Sequence, residues 1–333
     1  MLQTLAVSDS VELAVLERSG FVESRHAGAA IVLAPDGSTL GEFGNTSALV
    51  LPRSSLKPMQ AIASVTAGAE LDGERLGVAT ASHSGTRRHT ETVRAILDAS
   101  RLTPDALACP AALPSDRDTY MEMLADGFGQ PAAIFHNCSG KHAAMLAACV
   151  ASGWPTEGYL EPTHPLQLHV RDVVERLTGE KIAALAIDGC GAPVPAITLS
   201  GLARGIHRIG ASSEKSPFAL HRVAGQLVRT VREHPWTIAG PGRADTLLVE
   251  RLGLFAKGGA EGVMVAVAPD GTSVALKTLD GSSRVAPAVA VHLLTQAGAL
   301  DSTAAASAIK ALRLGVSGGG KVVGEIRPTV SLG

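Results

Sequence analysis

The chain has 333 residues, a formal net charge of -2, 46% hydrophobic residues and a mean hydropathy of +0.22, values expected of a globular protein that buries a sizeable core. With 29 basic against 31 acidic residues and no Lys or Arg run longer than a pair, it lacks the basic excess that nucleic acid or acidic membrane surfaces attract, so a small-molecule substrate is the expected partner. Aromatics are only 3%, which argues against recognition of bases or sugars by stacking.

In chain order, residues 26–33 alternate as a strand, Pro35-Asp36-Gly37 supplies a turn and residues 38–43 return, which predicts an antiparallel hairpin. Apolar residues at three-to-four spacing then predict helices over 59–69, 90–99, 141–152, 165–177 and 217–232. Between them, the runs Leu76–Ala79 and 183–187 read as strand-like, and the polar stretch 210–216 as the most mobile segment. A second hairpin is predicted from 262–267 and 273–278 across Pro269-Asp270-Gly271-Thr272, and a last strand over 321–326. The predicted fold class is therefore α+β, an α/β sandwich: a mainly antiparallel sheet built from residues 1–53 and 245–333, with a largely helical insertion over 54–244. No apolar stretch reaches the roughly 18 residues of a membrane span. The four cysteines are widely spaced and the N-terminus lacks a secretory pattern, so cytoplasm is the expected location.

The segment Pro52-Arg53-Ser54-Ser55-Leu56-Lys57-Pro58 contains Ser-x-x-Lys, the spacing that sets a hydroxyl and an amine on one helix face. Pro58 lacks an N–H and is at home only in a first helical turn, which fixes a helix start near Ser54 or Ser55. Plain N-capping explains a serine there too. The spacing recurs at Ser212 to Lys215, in a polar loop with no apolar periodicity, and so is not informative by itself. If Lys57 is a base, something must depress it, because an amine of ordinary pKa about 10.4 is only roughly 0.04% neutral at pH 7. Burial or a second cation would do so, and Lys257 is a candidate for the latter.

Ser82, His83 and Ser84 form a polar cluster suited to a turn, and His83 invites a general-base reading beside the structural one. Cys138, Ser139, Gly140, Lys141 and His142 open onto an apolar helix, a place that favours anions, yet Phe135 and His142 break the phosphate-loop pattern. Cys138 has three readings: nucleophile, metal ligand or buried small residue. Asp188-Gly189-Cys190 forms a tight turn, and two thiols with a nitrogen donor could hold zinc, although there is no CxxC pair. Gly315-Val316-Ser317-Gly318-Gly319 matches the GxSxG elbow in letters, but a helical stretch precedes it and a strand follows, so it reads as a glycine-rich turn.

Taken in order, RSSLKP, ASHSG, HNCSGKH, THPLQ, DGCGAPVPA and AGPGRADT resemble the asparaginase II family, the rhizobial-type thermolabile L-asparaginases, over almost the whole chain. The resemblance implies a fold similar to serine β-lactamases and serine-type glutaminases, a homodimer, and hydrolysis of L-asparagine to L-aspartate and ammonia through an acyl-enzyme. It implies two Ser-Lys pairs, Ser54 with Lys57 and Ser82 with Lys257, and Arg53, Asp188 and His142 around the substrate, with Asp188 suited to the α-ammonium. It also implies a zinc ion held by Cys138, Lys141 and Cys190 that positions substrate rather than generating hydroxide. The alternatives are a related glutaminase or β-lactamase-like amidohydrolase and a zinc-stabilised amino-acid-binding protein without turnover. Ser-Asp-Asn and Lys-Thr-Gly motifs, which a β-lactamase activity would need, are missing from the sequence.

Overall fold

A computed structural model describes residues 2–127 and 129–333. Eleven strands occur among them: β1 (Val11–Arg18), β2 (Phe21–Leu33), β3 (Thr39–Phe43), β4 (Leu49–Val50), β5 (Ala184–Ile187), β6 (Pro193–Thr198), β7 (Phe255–Gly258), β8 (Val263–Val267), β9 (Ser273–Thr278), β10 (Val316–Gly318) and β11 (Lys321–Pro328). The main sheet runs β10-β11-β1-β2-β9-β8-β7, with β3 paired to β2. Every pairing in it is antiparallel. The first and last strands, β1 and β11, lie side by side, so the two ends of the chain complete one sheet, as the strand pattern predicts.

Between these ends the chain is mostly helical: α1 (Lys57–Thr66), α2 (Gly73–Ala79), α3 (Arg87–Ala99), α4 (Arg117–Ala125), α5 (Ser139–Ala151), α6 (Pro165–Thr178), α7 (Leu199–Gly210) and α8 (Ala219–Glu233). Helices α9 (Ala244–Leu252), α10 (Ala286–Gln296) and α11 (Ser302–Ala311) follow. Every residue from Lys57 to Ser64 of α1 and from Ser139 to Cys149 of α5 is buried. Helices enclosed on all faces belong in the middle of a core. Accordingly α1 packs on α5, α6 and α8, while α7 and α10 cover the sheet. The chain's polar clusters at 53–57 and 138–142 thus start its two most enclosed helices.

Helices α4, α7, α9 and α10 are additional to the five expected, and four further details differ from the sequence expectations. Leu76–Ala79 belongs to helix α2 rather than a strand, and its four residues are all buried, so no alternation existed to distinguish the two. The first strand, β1, is absent from the expectation because Leu13 to Leu16 is buried on consecutive positions, which hides the period of two. The GxSxG match forms the hairpin β10–β11, closed by Gly319 and Gly320 at φ of 56° and 77°, the signature of a type I′ turn. Finally, β4, β6 and β5 make a small separate antiparallel sheet in that order, assembled across a long stretch of chain. No helix among the described residues is long and apolar enough to cross a membrane.

Candidate active site

The small sheet brings two charged residues together. Leu49 and Val50 pair with Thr198 and Ile197, while Ala184 to Ile187 pairs with Ala196 to Pro193, so β4 and β5 flank β6 and both run toward its beginning. Three residues beyond β4 stands Arg53, and Asp188 follows β5 directly. Arg53 Nε donates to Asp188 Oδ1 at 2.6 Å, and the Gly189 N–H donates to the same oxygen at 2.8 Å. Arg53 holds a φ of +52°, a region costly for a side-chain-bearing residue and common where a site over-determines the backbone.

Next to Arg53, a short 3-10 turn (Arg53–Leu56) runs into α1, with Pro58 in the first turn. Lys57 therefore points into the protein from the first residue of an enclosed helix, and it is 0% exposed. Its Nζ donates to Ser82 Oγ at 2.9 Å, to the Ala81 carbonyl at 2.5 Å and to the Asn137 carbonyl at 3.4 Å. Burial, helped by the nearby Lys257 and Lys141 cations against the opposing Cys138 charge, lowers the Lys57 amine to about 8. About a tenth of it is then neutral at pH 7, some 200-fold more than for an ordinary lysine.

Ser82 is fixed by its backbone. Its N–H donates to the Ile238 carbonyl at 2.9 Å, the His83 N–H to the Asn137 carbonyl at 3.2 Å and the Ser84 N–H to the Ala239 carbonyl at 2.9 Å, so the strand-like segment is clamped on both sides. The resemblance pairs Ser54 with Lys57, but the hydrogen-bonded pair in the structure is Ser82 with Lys57. Ser54 Oγ makes no hydrogen bond among the described residues, although the side chain is half-buried beside the same turn. The Lys57 Nζ donors go instead to Ser82 Oγ and to the Ala81 and Asn137 carbonyls.

Lys257, on β7, is 1% exposed. Its Nζ donates to Asp245 Oδ2 at 2.8 Å and to the Gly258 carbonyl at 2.8 Å, not to Ser82. Asp245 also accepts the Gly258 N–H on both oxygens, at 3.1 and 3.0 Å. Sequence reasoning placed no role on Asp245, although it lies within AGPGRADT. Its partner is 12 residues on, and only the meeting of α9 with β7 joins them.

The third group gathers Cys138, Lys141 and Cys190. Lys141 Nζ donates to Cys190 Sγ at 3.0 Å, and Cys190 Sγ lies 4.0 Å from Asp188 Oδ2. A hydrogen bond from the Cys190 thiol outweighs burial and, with the Lys57 and Lys141 cations, holds the Cys138 thiol well below its ordinary value. The same bond and burial push the Cys190 thiol up. Burial disfavours the Lys141 ammonium, but the facing Cys138 and Cys190 sulfurs reverse this and raise it. No group of three His, Cys, Asp or Glu able to hold a metal occurs among the described residues. A metal here would need the Lys141 amine as third donor, deprotonated on binding, and two sulfurs with one nitrogen is a donor set that suits zinc.

The two histidines have structural partners. His83 Nδ1 accepts the Gly85 N–H at 3.1 Å, and Nε2 meets Ser139 Oγ at 2.9 Å, so neither nitrogen is free to take a proton from Ser82. His142 is 0% exposed; its Nδ1 lies 2.6 Å from the Tyr159 hydroxyl, which accepts the Ala108 N–H, and its Nε2 is buried with no partner among the described residues. Elsewhere, Ser212 Oγ donates to the Arg208 carbonyl while Lys215 is exposed, and a further Ser-x-x-Lys, Ser307 to Lys310 on α11, lies open to solvent. A cavity of about 1000 Å³ between α11 and the β11 edge, lined by Glu17, Lys310 and Arg313 among others, has no hydrogen-bonded serine and lysine among the described residues.

With this geometry in view, comparison with known proteins gives the family. Residues 14–328 match the family described as L-asparaginase II, and the chain belongs to that family. No curated protein matches it in sequence. Among solved structures it is similar to one described as Mglu in its native form, at 12% identity and a TM-score of 0.44, over 80% of this chain and 63% of that one. It is also similar to a Bacillus glutaminase determined in 4.3M NaCl, at 13% identity and a TM-score of 0.43, over 82% of this chain and 91% of that one.

Proposed function

We propose that the protein hydrolyses L-asparagine to L-aspartate and ammonia through an acyl-enzyme on Ser82, with Lys57 as the base. One observation carries the assignment of roles: a lysine of depressed pKa donates to the Ser82 hydroxyl at 2.9 Å inside the protein. In its neutral fraction the same nitrogen can accept the hydroxyl proton as Oγ attacks the side-chain amide carbon. The C–N bond then breaks as Lys57 returns that proton to the departing ammonia. Water attacks the resulting ester, gives its proton to Lys57 and releases aspartate, and the proton goes back to Ser82 Oγ.

The ion pair of Arg53 and Asp188 supports an amino acid as substrate, since a guanidinium complements an α-carboxylate and a carboxylate an α-ammonium. Asparagine rather than glutamine rests on the family, because one methylene is worth only about 1–3 kcal/mol of discrimination. Cys138, Lys141 and Cys190 are the residues that would hold zinc. A bound zinc would supply a Lewis-acidic centre that orients substrate. The same reading makes the protein a cytoplasmic homodimer, checked by light scattering and fractionation.

The test is ammonia release from asparagine and glutamine by wild type, S82A, S54A and K57M, with mass spectrometry of the acid-quenched enzyme to locate the acyl group. The expected result is an acyl adduct on Ser82, with turnover lost in S82A and K57M. An adduct on Ser54, or undiminished turnover in S82A, overturns the role of Ser82; binding of asparagine without ammonia in the wild type overturns the activity.

A further inference from the structure

Lys257 is a buried cation that the mechanism above leaves without a task, and its surroundings are built with some care. We infer that Asp245 is a positioning residue for this reaction: it holds Lys257 as an oriented cation at the edge of the Ser82 site. The inference rests on the Ser82–Lys57 reading and extends it to a residue outside the Ser-Lys set.

Three geometric facts converge on Asp245. It stands in the first turn of α9 with its side chain 12% exposed, and its Oδ2 accepts from Lys257 Nζ at 2.8 Å. The Gly258 N–H, donating to both carboxylate oxygens, and the Gly258 carbonyl, accepting from Lys257 Nζ, close a compact ring that leaves each group one orientation. The ring also lies where two parts of the site meet. On one side, the segment leading to α9 is the one that clamps Ser82 and Ser84 through the Ile238 and Ala239 carbonyls, and the Gly240 N–H donates to Thr246 Oγ1 at 3.1 Å. On the other, the β7 end abuts the turn that carries Arg53 and Ser54: a Cβ on Gly259 would lie 2.5 Å from the Pro52 carbonyl oxygen and 3.3 Å from Ser55 N.

Charge explains why an aspartate is suited to that place. Lys57, Lys141 and Lys257 are 0%, 2% and 1% exposed, and the latter two act on Lys57 as like charges. Cys138 faces Lys57 and Lys141, while the carboxylate hydrogen-bonded to Lys257 is Asp245. An opposite charge in hydrogen-bond contact favours the charged form of a buried amine and fixes its direction. Lys257 has one donor left beyond Asp245 and Gly258 among the described residues. Asp245 thus separates the two site lysines: Lys57 is turned toward Ser82, and Lys257 is held toward Asp245 and Gly258.

A positioning role predicts that Asp245 acts only through Lys257, and a double-mutant cycle reads this directly. Wild type, D245N, D245E, K257M and the double variant K257M/D245N are compared for kcat and KM with asparagine, with S82A as reference. D245N is expected to lose about 100-fold in kcat with little change in KM, the size of loss that misplacement of a catalytic group produces. D245E is expected to recover part of it, and the double variant to match K257M. Wild-type kcat in D245N while S82A is inactive overturns Asp245 alone; wild-type kcat in S82A overturns the underlying reading instead. Losses that multiply in the double variant also overturn the proposal. If D245N does not fold, the double variant, from which the unpaired buried lysine has been removed, is compared with K257M: equal kcat supports the proposal and a further loss overturns it.

Discussion

Arg53 and Asp188 are 135 positions apart and share a 2.6 Å hydrogen bond, with side chains 24% and 11% exposed. Each is the complement of one end of a free amino acid, so under the proposed function a zwitterionic substrate would replace the pair on binding. A hydrogen bond to a charged group is worth about 1.5–3 kcal/mol, or roughly 10- to 100-fold in affinity. D188N is therefore expected to raise KM for asparagine by about that factor with a smaller effect on kcat. Succinamate, which is asparagine without its α-amino group, makes the check specific. Wild type should discriminate against it and D188N should not; unchanged discrimination in D188N removes Asp188 from ammonium recognition.

The pH dependence of kcat/KM follows from Lys57. Its amine is lowered to about 8 chiefly by burial, and the proposed base is the neutral form. Activity should accordingly rise with pH, approach a plateau above about 8, and fall tenfold per unit well below that value. A like charge contributes to the depression, so K257M is expected to move the midpoint upward. A profile flat between pH 6 and pH 9 would show that no group of this pKa limits the reaction.

How far the sequence could foretell this site depends on the range of the forces involved. Pro58 announces a helix start because its missing N–H is a local fact, and the structure has that proline in the first turn of α1. The two hairpins beginning near residue 26 and residue 262 are readable for the same reason, since an Asp-Gly turn between two apolar runs is local. The partner of Lys57 is not local. It is chosen by a segment 25 residues away, whose placement depends on carbonyls at 137, 238 and 239. The meeting of Arg53 with Asp188 requires a three-stranded sheet whose shortest strand has two residues, too few to show a period. Asp245 shows the same limit: it lies in a recognisable segment, yet its role exists only once β7 supplies Lys257 and an N–H.

The thiol pair gives a prediction about metal content. Cys138, Cys190 and Lys141, whose Nζ lies 3.0 Å from Cys190 Sγ, form a set that zinc can complete by displacing the protons they carry. Protein purified without chelator is expected to carry zinc by elemental analysis, and C138A and C190A to lose it. If the ion positions substrate, its removal should raise KM more than it lowers kcat. Equal zinc content in wild type and C190A would place any metal elsewhere.

Gly259 offers a test of how tightly β7 is seated against the site. The Pro52 carbonyl oxygen, 2.5 Å from where a Cβ would lie, is already committed: it accepts the Ser55 N–H at 3.1 Å and the Ser55 hydroxyl at 2.7 Å. In G259A the added methyl must move either that turn or the end of β7, and both carry site residues. Overpacking of this kind typically costs about 1–3 kcal/mol. G259A is thus expected to lower the denaturant midpoint by a corresponding amount. Its kcat should fall more steeply than its stability, because Lys257 and the Arg53 turn would no longer hold their spacing. S212A provides the control, removing the serine of a Ser-x-x-Lys whose lysine faces solvent, and it should retain wild-type turnover. A stable, fully active G259A would mean that the contact between β7 and the Arg53 turn is not part of what aligns the site.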